Sequence, residues 1–396
     1  MAWPQDRVAA ARRQRDAMRR WREAFHREPE PSNREAATRE KIVAALASLG
    51  IRSQTYRGFF GVVGLIPSGG RGPTVALRAD MDGLPVTEET GAPFASRIPG
   101  TMHACGHDVH MSCLLGAAAV LADDPPAGPV KLLFQPAEEE GEVGGALPFL
   151  RRGCLRDPRV DYVVGQHVEP GIPVGSVGIR RGPCMAAADR LRIRVRGTGG
   201  HAATPHQGPD AILAAAEIVT GLQAIVSRVR NPVDPVVVTI GQIHGGTRHN
   251  ILPDHVDLEG TVRTLRPETR DRMEAAIRRR VRAIAASLGA KVTLDYRRGY
   301  PALWNPPAVT DRVAEGIAAG LGRERVVECE APMMGAEDFA RYLERVPGTF
   351  LRLGVGVPGR RASLHSATFL PPEEALPTGA AVLALAADAL QRPDGP

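Results

Sequence analysis

The sequence predicts an α/β fold whose larger domain is interrupted by a smaller one. Strand-like runs at 61–66, 74–80 and 130–136 alternate with helical patterning, which is typical of a mixed, largely parallel sheet covered by helices. The 396 residues exceed the roughly 250–300 at which one hydrophobic core stops growing, so two domains are expected. Between residues 187 and 298 the order β-α-β-β-α-β indicates an inserted ferredoxin-like domain.

The first part of the chain supplies the elements of the larger domain. Residues 15–50 have helical patterning interrupted at REPEPSN, and Ser32 or Asn33 is expected to cap the second helix. The β-rich runs that follow are GVVGLI, TVALRAD, VKLLFQP and VDYVVGQHV. A helix from about Asp108 to Leu121 separates the second of these strands from the third. Strands joined in this way by helices form a layered α/β domain.

The inserted segment has a rhythm of its own. Its predicted strands are RLRIRVRG, DPVVVTIGQIHGG, HVDLEGTVRTL and AKVTLDYRRG, and its helices are PDAILAAAEIVTGLQAIVSRV and PETRDRMEAAIRRRVRAIAASLG. The α/β pattern then resumes with TDRVAEGIAAGLG and TFLRLGVG. The larger domain is therefore predicted to be discontinuous, with parts at 1–186 and 299–396 on either side of an insert at 187–298.

Composition and charge exclude several classes of protein. The net charge is +6, but the basic residues are spread along the chain among acidic ones, so no nucleic-acid partner is expected. No run of about 18 apolar residues would span a bilayer, and the N-terminal segment lacks the apolar core of a secretion signal. A cytoplasmic protein with no membrane association is expected. Five cysteines, an odd number, argue against a disulfide framework.

Side chains that suit metals follow three of the predicted strands. Asp80 and Asp82 follow the strand TVALRAD, Glu138 and Glu139 follow VKLLFQP, and His167 ends VDYVVGQH. In open α/β sheets the functional crevice lies outside the carboxyl ends of the strands. These side chains are therefore expected to converge.

Cys105 and His107, in TMHACGHDVH, lie just before a predicted helix N-terminus, where a thiolate is favoured electrostatically. His365 follows the late strand TFLRLGVG. Thiolate, imidazole and carboxylate together suit zinc-like ions. These three residues, together with Glu139 and His167, make five candidate ligands. Five ligands are too many for one tetrahedral catalytic ion that keeps an open position. Five ligands, one of them shared, fit two ions.

The adjacent glutamates Glu138 and Glu139 indicate hydrolysis. Neighbouring residues at a strand end point in different directions, so one carboxylate can bind a metal while the other reaches a water molecule. A metal lowers the pKa of bound water from 15.7 toward about 7, and a nearby carboxylate can take its proton. Chemistry of this kind hydrolyses amides.

Several longer motifs occur together in a characteristic order: LRADMDGLPV, MHACGHDVH, FQPAEEEGEVGGA, RGTGGHAATPHQGPDAI, HNILPD with GTVRTL, and MMGAEDFA. With these motifs the chain resembles the amidohydrolase branch of the aminoacylase/carboxypeptidase-G dinuclear metallopeptidases, which includes hippurate hydrolases and plant auxin-conjugate hydrolases. The resemblance covers nearly the whole chain. It implies that 1–186 and 299–396 form the catalytic domain, that 187–298 is a lid and dimerisation domain, and that the protein is a homodimer or higher homo-oligomer.

The resemblance also implies a metal centre with two divalent ions. Zinc and manganese are the expected ions, and cobalt and nickel also suit these ligands. Asp80 or Asp82 is expected to orient a ligand; other branches have a histidine in that motif, which leaves the roles of the two aspartates open. The implied ligands are Cys105, His107, Glu139, His167 and His365.

Four further residues match family positions that act on the substrate. Glu138 is implied as the general base, and His201 as the residue that polarises the scissile carbonyl. Asn250 and Arg263 match residues that hold the substrate's carbonyl and its free α-carboxylate. Gln166 stands where the branch usually has an aliphatic residue, and it is expected to change the polarity of the pocket beside His167.

The expected function is release of an L-amino acid from a small N-acyl amino acid. A dipeptidase or exopeptidase with the same chemistry is an open alternative, because pocket residues cannot be identified from motifs. A second alternative is a metal-storing or thiol-sensing protein without catalysis. Loss of a ligand or of the general base would have favoured it, but every such position is occupied. No G-x-S-x-G motif indicates a serine nucleophile. A nucleophilic role for Cys105 would make catalysis independent of added ions.

Overall fold

The structure is a computed structural model that describes residues 4–68, 70–359 and 363–392. The α-helices are α1 (Pro4–Arg13), α2 (Arg15–His26), α3 (Ala36–Ser48), α4 (His107–Asp123), α5 (Ala146–Arg151), α6 (Ala211–Ala224), α7 (Pro267–Ser287), α8 (Pro307–Leu321), α9 (Ala340–Leu343) and α10 (Ala375–Gln391). The β-strands are β1 (Arg52–Tyr56), β2 (Phe59–Ile66), β3 (Val75–Asp80), β4 (Val130–Gln135), β5 (Tyr162–Pro173), β6 (Val177–Ile179), β7 (Gly182–Met185), β8 (Ala187–Arg196), β9 (Gly200–His201), β10 (Val236–Gly245), β11 (Ile251–Leu252), β12 (His255–Thr264), β13 (Lys291–Arg298), β14 (Leu303–Asn305), β15 (Val326–Glu328) and β16 (Gly348–Gly356).

Eight strands form a mixed sheet in the order β1-β2-β4-β3-β5-β16-β6-β15. The central neighbours β4, β3, β5 and β16 are parallel, whereas β1, β2 and β4 are joined by antiparallel pairing. β3 and β4 are buried along their whole length, as expected for parallel strands that are covered on both faces. The predicted α/β fold with a mixed, largely parallel sheet is confirmed.

The chain divides into two units. The larger unit comprises Met1–Gly182, Trp304–Ala331 and Asp338–Pro396, and the inserted unit comprises Pro183–Leu303 and Pro332–Glu337. In the larger unit, apolar side chains of α2, α4 and α10 form one core with β3, β4 and β16. Burial of this surface is the main favourable contribution to folding.

The inserted unit has a four-stranded antiparallel sheet in the order β10-β12-β8-β13. Its elements follow one another as β8, α6, β10, β12, α7 and β13, which is the ferredoxin-like order. Both helices bury apolar side chains in a core shared with these strands.

The limits of the inserted unit differ from the predicted 187–298. It also contains Pro332–Glu337, a segment within which the motif MMGAEDFA begins but which was not predicted to belong to the insert. The reason is backbone pairing: the N–H of Ala186 donates to the carbonyl oxygens of Met333 and Gly335, at 3.1 and 2.9 Å. These hydrogen bonds attach the short segment to the start of the insert.

One helical stretch within the described ranges, Ala211–Val229, is long and apolar enough to cross a membrane. Its buried side chains, such as Ile218 and Leu222, contribute to the core of the inserted unit. That packing explains only part of the apolar composition, because Ile212 and Leu213 of the same stretch are exposed.

The prediction that Ser32 or Asn33 caps α3 is wrong. The carboxylate of Glu30 instead accepts the N–H groups of Ala37 and Thr38, at 3.1 and 2.7 Å. The hydroxyl of Ser32 donates to Asp82 at 2.6 Å. A buried carboxylate is a stronger partner for a hydroxyl than a helix N–H group is, so Ser32 contributes to the site described next.

Candidate metal centre

The register of the parallel strands brings the predicted residues to one edge of the sheet. Asp80, the last residue of β3, pairs with Gln135 at the end of β4. β5 was expected to end at His167 but continues to Pro173, paired with β16. The pairing of β3 with β5 ends at Arg78 and Gly165, two residues before Asp80 and His167. His167 therefore lies level with Asp80, at the carboxyl edge of β3.

The start of α4 presents Cys105 and His107 to the same edge. The helix begins at His107, one residue earlier than expected. Gly106 between them has a φ of 83°, and a Cβ there would lie 2.7 Å from a methyl group of Val168. Only glycine tolerates both conditions, so this glycine allows the thiol and the imidazole to face the same site.

The sulfur of Cys105 is the centre of the cluster. Its Sγ lies 3.2 Å from Nε2 of His167 and 3.3 Å from Nε2 of His365. His365 Nε2 is also 3.3 Å from Oε1 of Glu139. The N–H of His365 donates to the carbonyl of Ala104 at 2.9 Å, which ties the late loop to the residue before Cys105.

Two groups of potential ligands share this sulfur. One is Cys105 with His107 and His167, and the other is Cys105 with Glu139 and His365. Within each group the ligand atoms lie within 4.8 Å of one another. One sulfur common to two groups is the arrangement expected for two ions with a bridging thiolate.

The imidazoles are oriented for metal binding. Nδ1 of His107 lies 2.8 Å from the carbonyl oxygen of Asp82, and Nδ1 of His167 lies 2.8 Å from that of Val168. A carbonyl only accepts, so each Nδ1 carries a proton, and each Nε2 is the ring nitrogen that is left to bind a metal. Nε2 of His107 is buried and has no hydrogen-bond partner among the described residues. A cation would satisfy this otherwise costly buried atom.

Asp82 holds the turn that carries the two glutamates. Its Oδ1 accepts the N–H of Glu138 at 3.1 Å, and its Oδ2 accepts the N–H of Glu139 at 2.9 Å. Oδ1 also lies 3.3 Å from Nδ1 of His107. One buried carboxylate therefore contacts a ligand and the backbone of the acidic pair.

Asp80 contacts a histidine that the sequence interpretation missed. Oδ1 of Asp80 lies 2.6 Å from Nδ1 of His110, and Nε2 of that ring accepts the N–H of Val168 at 2.9 Å. Burial lowers the pKa of His110 to about 4, so the ring is neutral, with its proton on Nδ1. His110 follows His107 by three residues on one helix face, a spacing that was the available signal.

Arg78 is the other missed residue. Its guanidinium donates to Asp80 at 2.7 Å and to Asp338 at 2.8 Å, and all three side chains are buried. Its Nε donates to Gln135 at 3.0 Å. A charged residue inside the apolar run TVALRAD was a signal, because such a residue is buried only when it is paired.

The charges around Cys105 oppose the thiolate expected from its position near a helix N-terminus. Burial and the negative charges of Glu139 and Glu138 raise the pKa of the Cys105 thiol well above its usual range. Burial lowers the pKa of His107, but the charges of Asp80 and Asp82 outweigh it and raise that pKa to about 10. A bound cation is therefore needed to displace these protons at neutral pH.

His201 and Asn250 lie together in the inserted unit. His201 is in β9, which pairs with β11, and the N–H of Ala202 donates to the carbonyl of Asn250 at 3.1 Å. Nδ1 of His201 accepts the N–H of Ala203 at 3.0 Å. The neutral ring therefore carries its proton on Nε2, which can act as a hydrogen-bond donor.

Arg263 lies elsewhere in that unit, on β12 opposite Ala188. Its side chain is half-buried, and burial lowers the pKa of its guanidinium. No hydrogen bond or ion pair of the Arg263 side chain is found in the part of the chain that the structure describes. A partly desolvated guanidinium of this kind is suited to bind a carboxylate.

A buried ionic cluster supports the start of α4. His26 contacts two carboxylates: Nδ1 lies 2.9 Å from Asp108, and Nε2 lies 3.1 Å from Glu88. Arg22 donates to the same Asp108 oxygen at 3.1 Å. Burial lowers the pKa of His26, but the charge of Asp108 and hydrogen bonds with both carboxylates raise it to about 9.

The raised pKa of His26 predicts a pH-dependent contribution to stability. A group whose folded pKa is raised stabilises the fold below its unfolded pKa, here near 6.5, and loses that effect as pH rises through about 9. We expect wild type to have a larger free energy of unfolding than His26→Gln. This difference should shrink by up to about 3 kcal/mol as the pH rises from about 6.5 to about 9. Denaturant titrations at several pH values test this; a difference that stays constant with pH would contradict it.

A mixed α/β sheet whose carboxyl edge gathers a thiol, imidazoles and paired carboxylates has the ligand set of a metal-dependent hydrolase. Residues 76–389 match the model of peptidase family M20/M25/M40. The chain is 42% identical over 335 residues to an N-acetyl-L-cysteine deacetylase of Bacillus subtilis, which covers 84% of this chain and 79% of that protein. It is 39% identical over 372 residues to thermostable carboxypeptidase 1 of Saccharolobus solfataricus, covering 92% and 93%.

A solved structure shows the same fold. It is that of a dinuclear metal-binding peptidase of the M20 family from Bacillus subtilis, with a TM-score of 0.82 and 33% identity, covering 95% of this chain and 98% of that one. The chain belongs to peptidase family M20/M25/M40 and is a metal-dependent hydrolase of amide bonds. The resemblance found from the motifs is confirmed.

Proposed function

We propose that the protein is a dinuclear amidohydrolase that releases an L-amino acid from an N-acyl-L-amino acid. The observation that carries this proposal is the sulfur of Cys105, shared by two groups of ligands beside Glu138. Similarity to a deacetylase of an N-acetyl amino acid supports the substrate class. The homodimer, the lid role of the inserted unit and the cytoplasmic location rest on the sequence alone and stay predictions.

The residues present fit two divalent ions. Cys105, His107 and His167 would hold one, and Cys105 with Glu139 and His365 would hold the other. A thiol with imidazoles and a carboxylate favours zinc or manganese, and accommodates cobalt or nickel. When bound, the ions supply the Lewis acidity that polarises the scissile carbonyl and acidifies the attacking water.

Glu138 is the proposed general base. Its carboxylate lies within 4.8 Å of potential ligand atoms of both His107 and Glu139. One of its oxygens accepts a proton as the water oxygen bonds to the carbonyl carbon. The same carboxyl group then gives that proton to the amide nitrogen as the C–N bond breaks, which yields a carboxylic acid and a free amine. Asp82 and Asp80 are the proposed positioning residues for this centre.

Three residues of the inserted unit are proposed to contact the substrate. His201 donates from Nε2 to the carbonyl oxygen, where negative charge develops. Asn250 binds the same carbonyl, and Arg263 pairs with the free α-carboxylate. These roles follow from the family motifs, and the tautomer of His201 and the unpaired guanidinium of Arg263 support them.

A dipeptidase or exopeptidase is the second candidate, because the chain is also similar to a carboxypeptidase. The deciding experiment compares kcat/KM for N-acetyl and N-benzoyl amino acids with that for dipeptides of the same C-terminal residue. Preference for acylated amino acids supports the proposal, whereas preference for dipeptides overturns it. Binding of metal without turnover of either class would indicate a protein that only stores or senses metal.

Arg263→Ala is expected to lower kcat/KM for substrates with a free α-carboxylate by about 10- to 100-fold, the value of a hydrogen bond to a charged group. The corresponding esters, which lack that charge, should lose no more than about threefold. Arg194→Ala is the matched control, because Arg194 is an exposed arginine of the same sheet, paired with Asp257. Equal losses on acid and ester would refute the assigned contact.

A further inference from the structure

Glu35, just before α3, is a buried carboxylate that no sequence pattern singled out. Its side chain is completely buried. Oε1 accepts the N–H of Ala137 at 2.8 Å and the N–H of Asn33 at 3.0 Å. Oε2 is also buried and has no hydrogen-bond partner among the described residues. A carboxylate buried in this way is costly unless its remaining contacts are specific.

Its partner Ala137 has an unusual backbone. With φ 56° and ψ 42°, this non-glycine residue is in the left-handed region. That conformation costs an alanine free energy and persists only where surrounding contacts impose it. Ala137 directly precedes Glu138, so its conformation decides the direction in which the chain enters the acidic pair.

Two buried carboxylates bind three consecutive backbone N–H groups at this turn. Glu35 binds that of Ala137, and Asp82 binds those of Glu138 and Glu139. Glu35 and Asp82 belong to different segments of the chain, on either side of β1 and β2. The turn is therefore fixed from both sides by acceptors that do not belong to it.

We propose that Glu35 is a positioning residue for the Glu138–Glu139 pair and acts through the N–H of Ala137. Without that acceptor the left-handed turn relaxes, and both carboxylates move relative to the ligands. A displacement of about 1 Å at a reacting group is enough to lower a rate about 100-fold. This inference rests on the proposed function for its catalytic consequence, but its effect on metal binding does not.

The experiment compares two substitutions of Glu35 with a control substitution of Glu30, a helix-capping carboxylate in the same segment. Glu35→Ala removes the acceptor, and Glu35→Gln keeps an acceptor oxygen in a side chain of the same shape. Burial and the charge of Asp82 raise the pKa of Glu35 to about 7, so a neutral replacement is well matched to this position. Glu30→Ala is the matched control, because Glu30 caps α3 without contacting the acidic turn.

We expect Glu35→Ala to lower kcat and the affinity for Zn²⁺ each by about 10- to 100-fold, with little change in KM. Glu35→Gln should stay within about threefold of wild type, because the hydrogen bond to Ala137 is retained. Glu30→Ala should lower Tm while kcat and Zn²⁺ affinity stay at wild-type values. If Glu35→Ala does not fold, Glu35→Leu fills the same space without an acceptor and is measured instead.

The inference is overturned if the variant without an acceptor keeps wild-type kcat and Zn²⁺ affinity while its Tm falls as that of Glu30→Ala does. It is also overturned if Glu35→Gln and Glu35→Ala lose equally. Zn²⁺ titration requires no substrate, so wild type that hydrolyses no N-acyl amino acid would refute the proposed function alone. The difference in Zn²⁺ affinity would still decide whether Glu35 positions the acidic pair.

Discussion

Glu138→Gln is expected to lower kcat on an N-acyl amino acid by about 100- to 10,000-fold, the usual contribution of a positioned general base. Glutamine has the same shape but cannot take a proton from water at neutral pH. Metal content should stay at two ions per chain, because each of the proposed ligand groups is complete without Glu138. Turnover and metal content measured on the same preparation test both parts.

The control for this variant is Glu142→Gln. Glu142 belongs to the same acidic run but to none of the candidate ligand groups, so its substitution should leave kcat unchanged. Near-wild-type turnover of Glu138→Gln would remove the general-base assignment. Loss of metal together with activity would instead make Glu138 a ligand, since its carboxylate also lies near those of His107 and Glu139.

Cys105→Ala is expected to abolish turnover and to weaken binding of both ions. Removal of a residue outside the ligand set usually costs about 10- to 100-fold in metal affinity, so loss of a shared ligand should exceed about 100-fold. His365→Ala should affect mainly one ion, because His365 belongs to only one of the two groups. Metal stoichiometry after dialysis against a weak chelator distinguishes these patterns.

Cys329→Ala controls for the loss of a thiol, because Cys329 is a half-buried cysteine outside the candidate groups. It should keep both ions and full activity. The competing assignment makes Cys105 a nucleophile. In that case Cys105→Ser would keep its metal, alkylation would still inactivate the wild type, and removal of divalent ions by a chelator would leave the activity unchanged.

The convergence of the site could be predicted because it depends on chain topology. Asp80 ends β3 and the acidic pair follows β4, and these neighbouring parallel strands end at the same edge of the sheet. His167 lies level with Asp80 at that edge, although its strand β5 continues beyond it. The sequence interpretation and the structure agree on this edge. Cys105 and His107 were found because a thiol between imidazoles is unusual in itself, and their motif strengthened the choice.

The supporting contacts could not be predicted, because they join segments far apart in the chain. Glu35 meets Ala137 across 102 residues, and Arg78 meets Asp338 across 260. No local pattern distinguishes a buried carboxylate from a solvated one in a sequence such as SNREAATRE. Ser32 shows the same limit, because a helix cap and a hydrogen bond to a distant carboxylate require the same residue type.

Gln166 illustrates a local error. It was expected to alter the pocket beside His167, but adjacent residues of a strand point to opposite faces of the sheet. The side chain of Gln166 is buried and donates to the carbonyl of Gly379 in α10 at 3.3 Å. The predicted effect on pocket polarity is therefore wrong, and Gln166 belongs to the packing between sheet and helix.

The most direct test of the account is anomalous diffraction from crystals of the zinc-loaded protein. Two zinc peaks per chain are predicted, each about 2.3 Å from the sulfur of Cys105, the usual zinc–thiolate distance. One peak should also adjoin His107 and His167, and the other Glu139 and His365. A single peak, or two peaks that Cys105 does not bridge, would contradict the proposed centre.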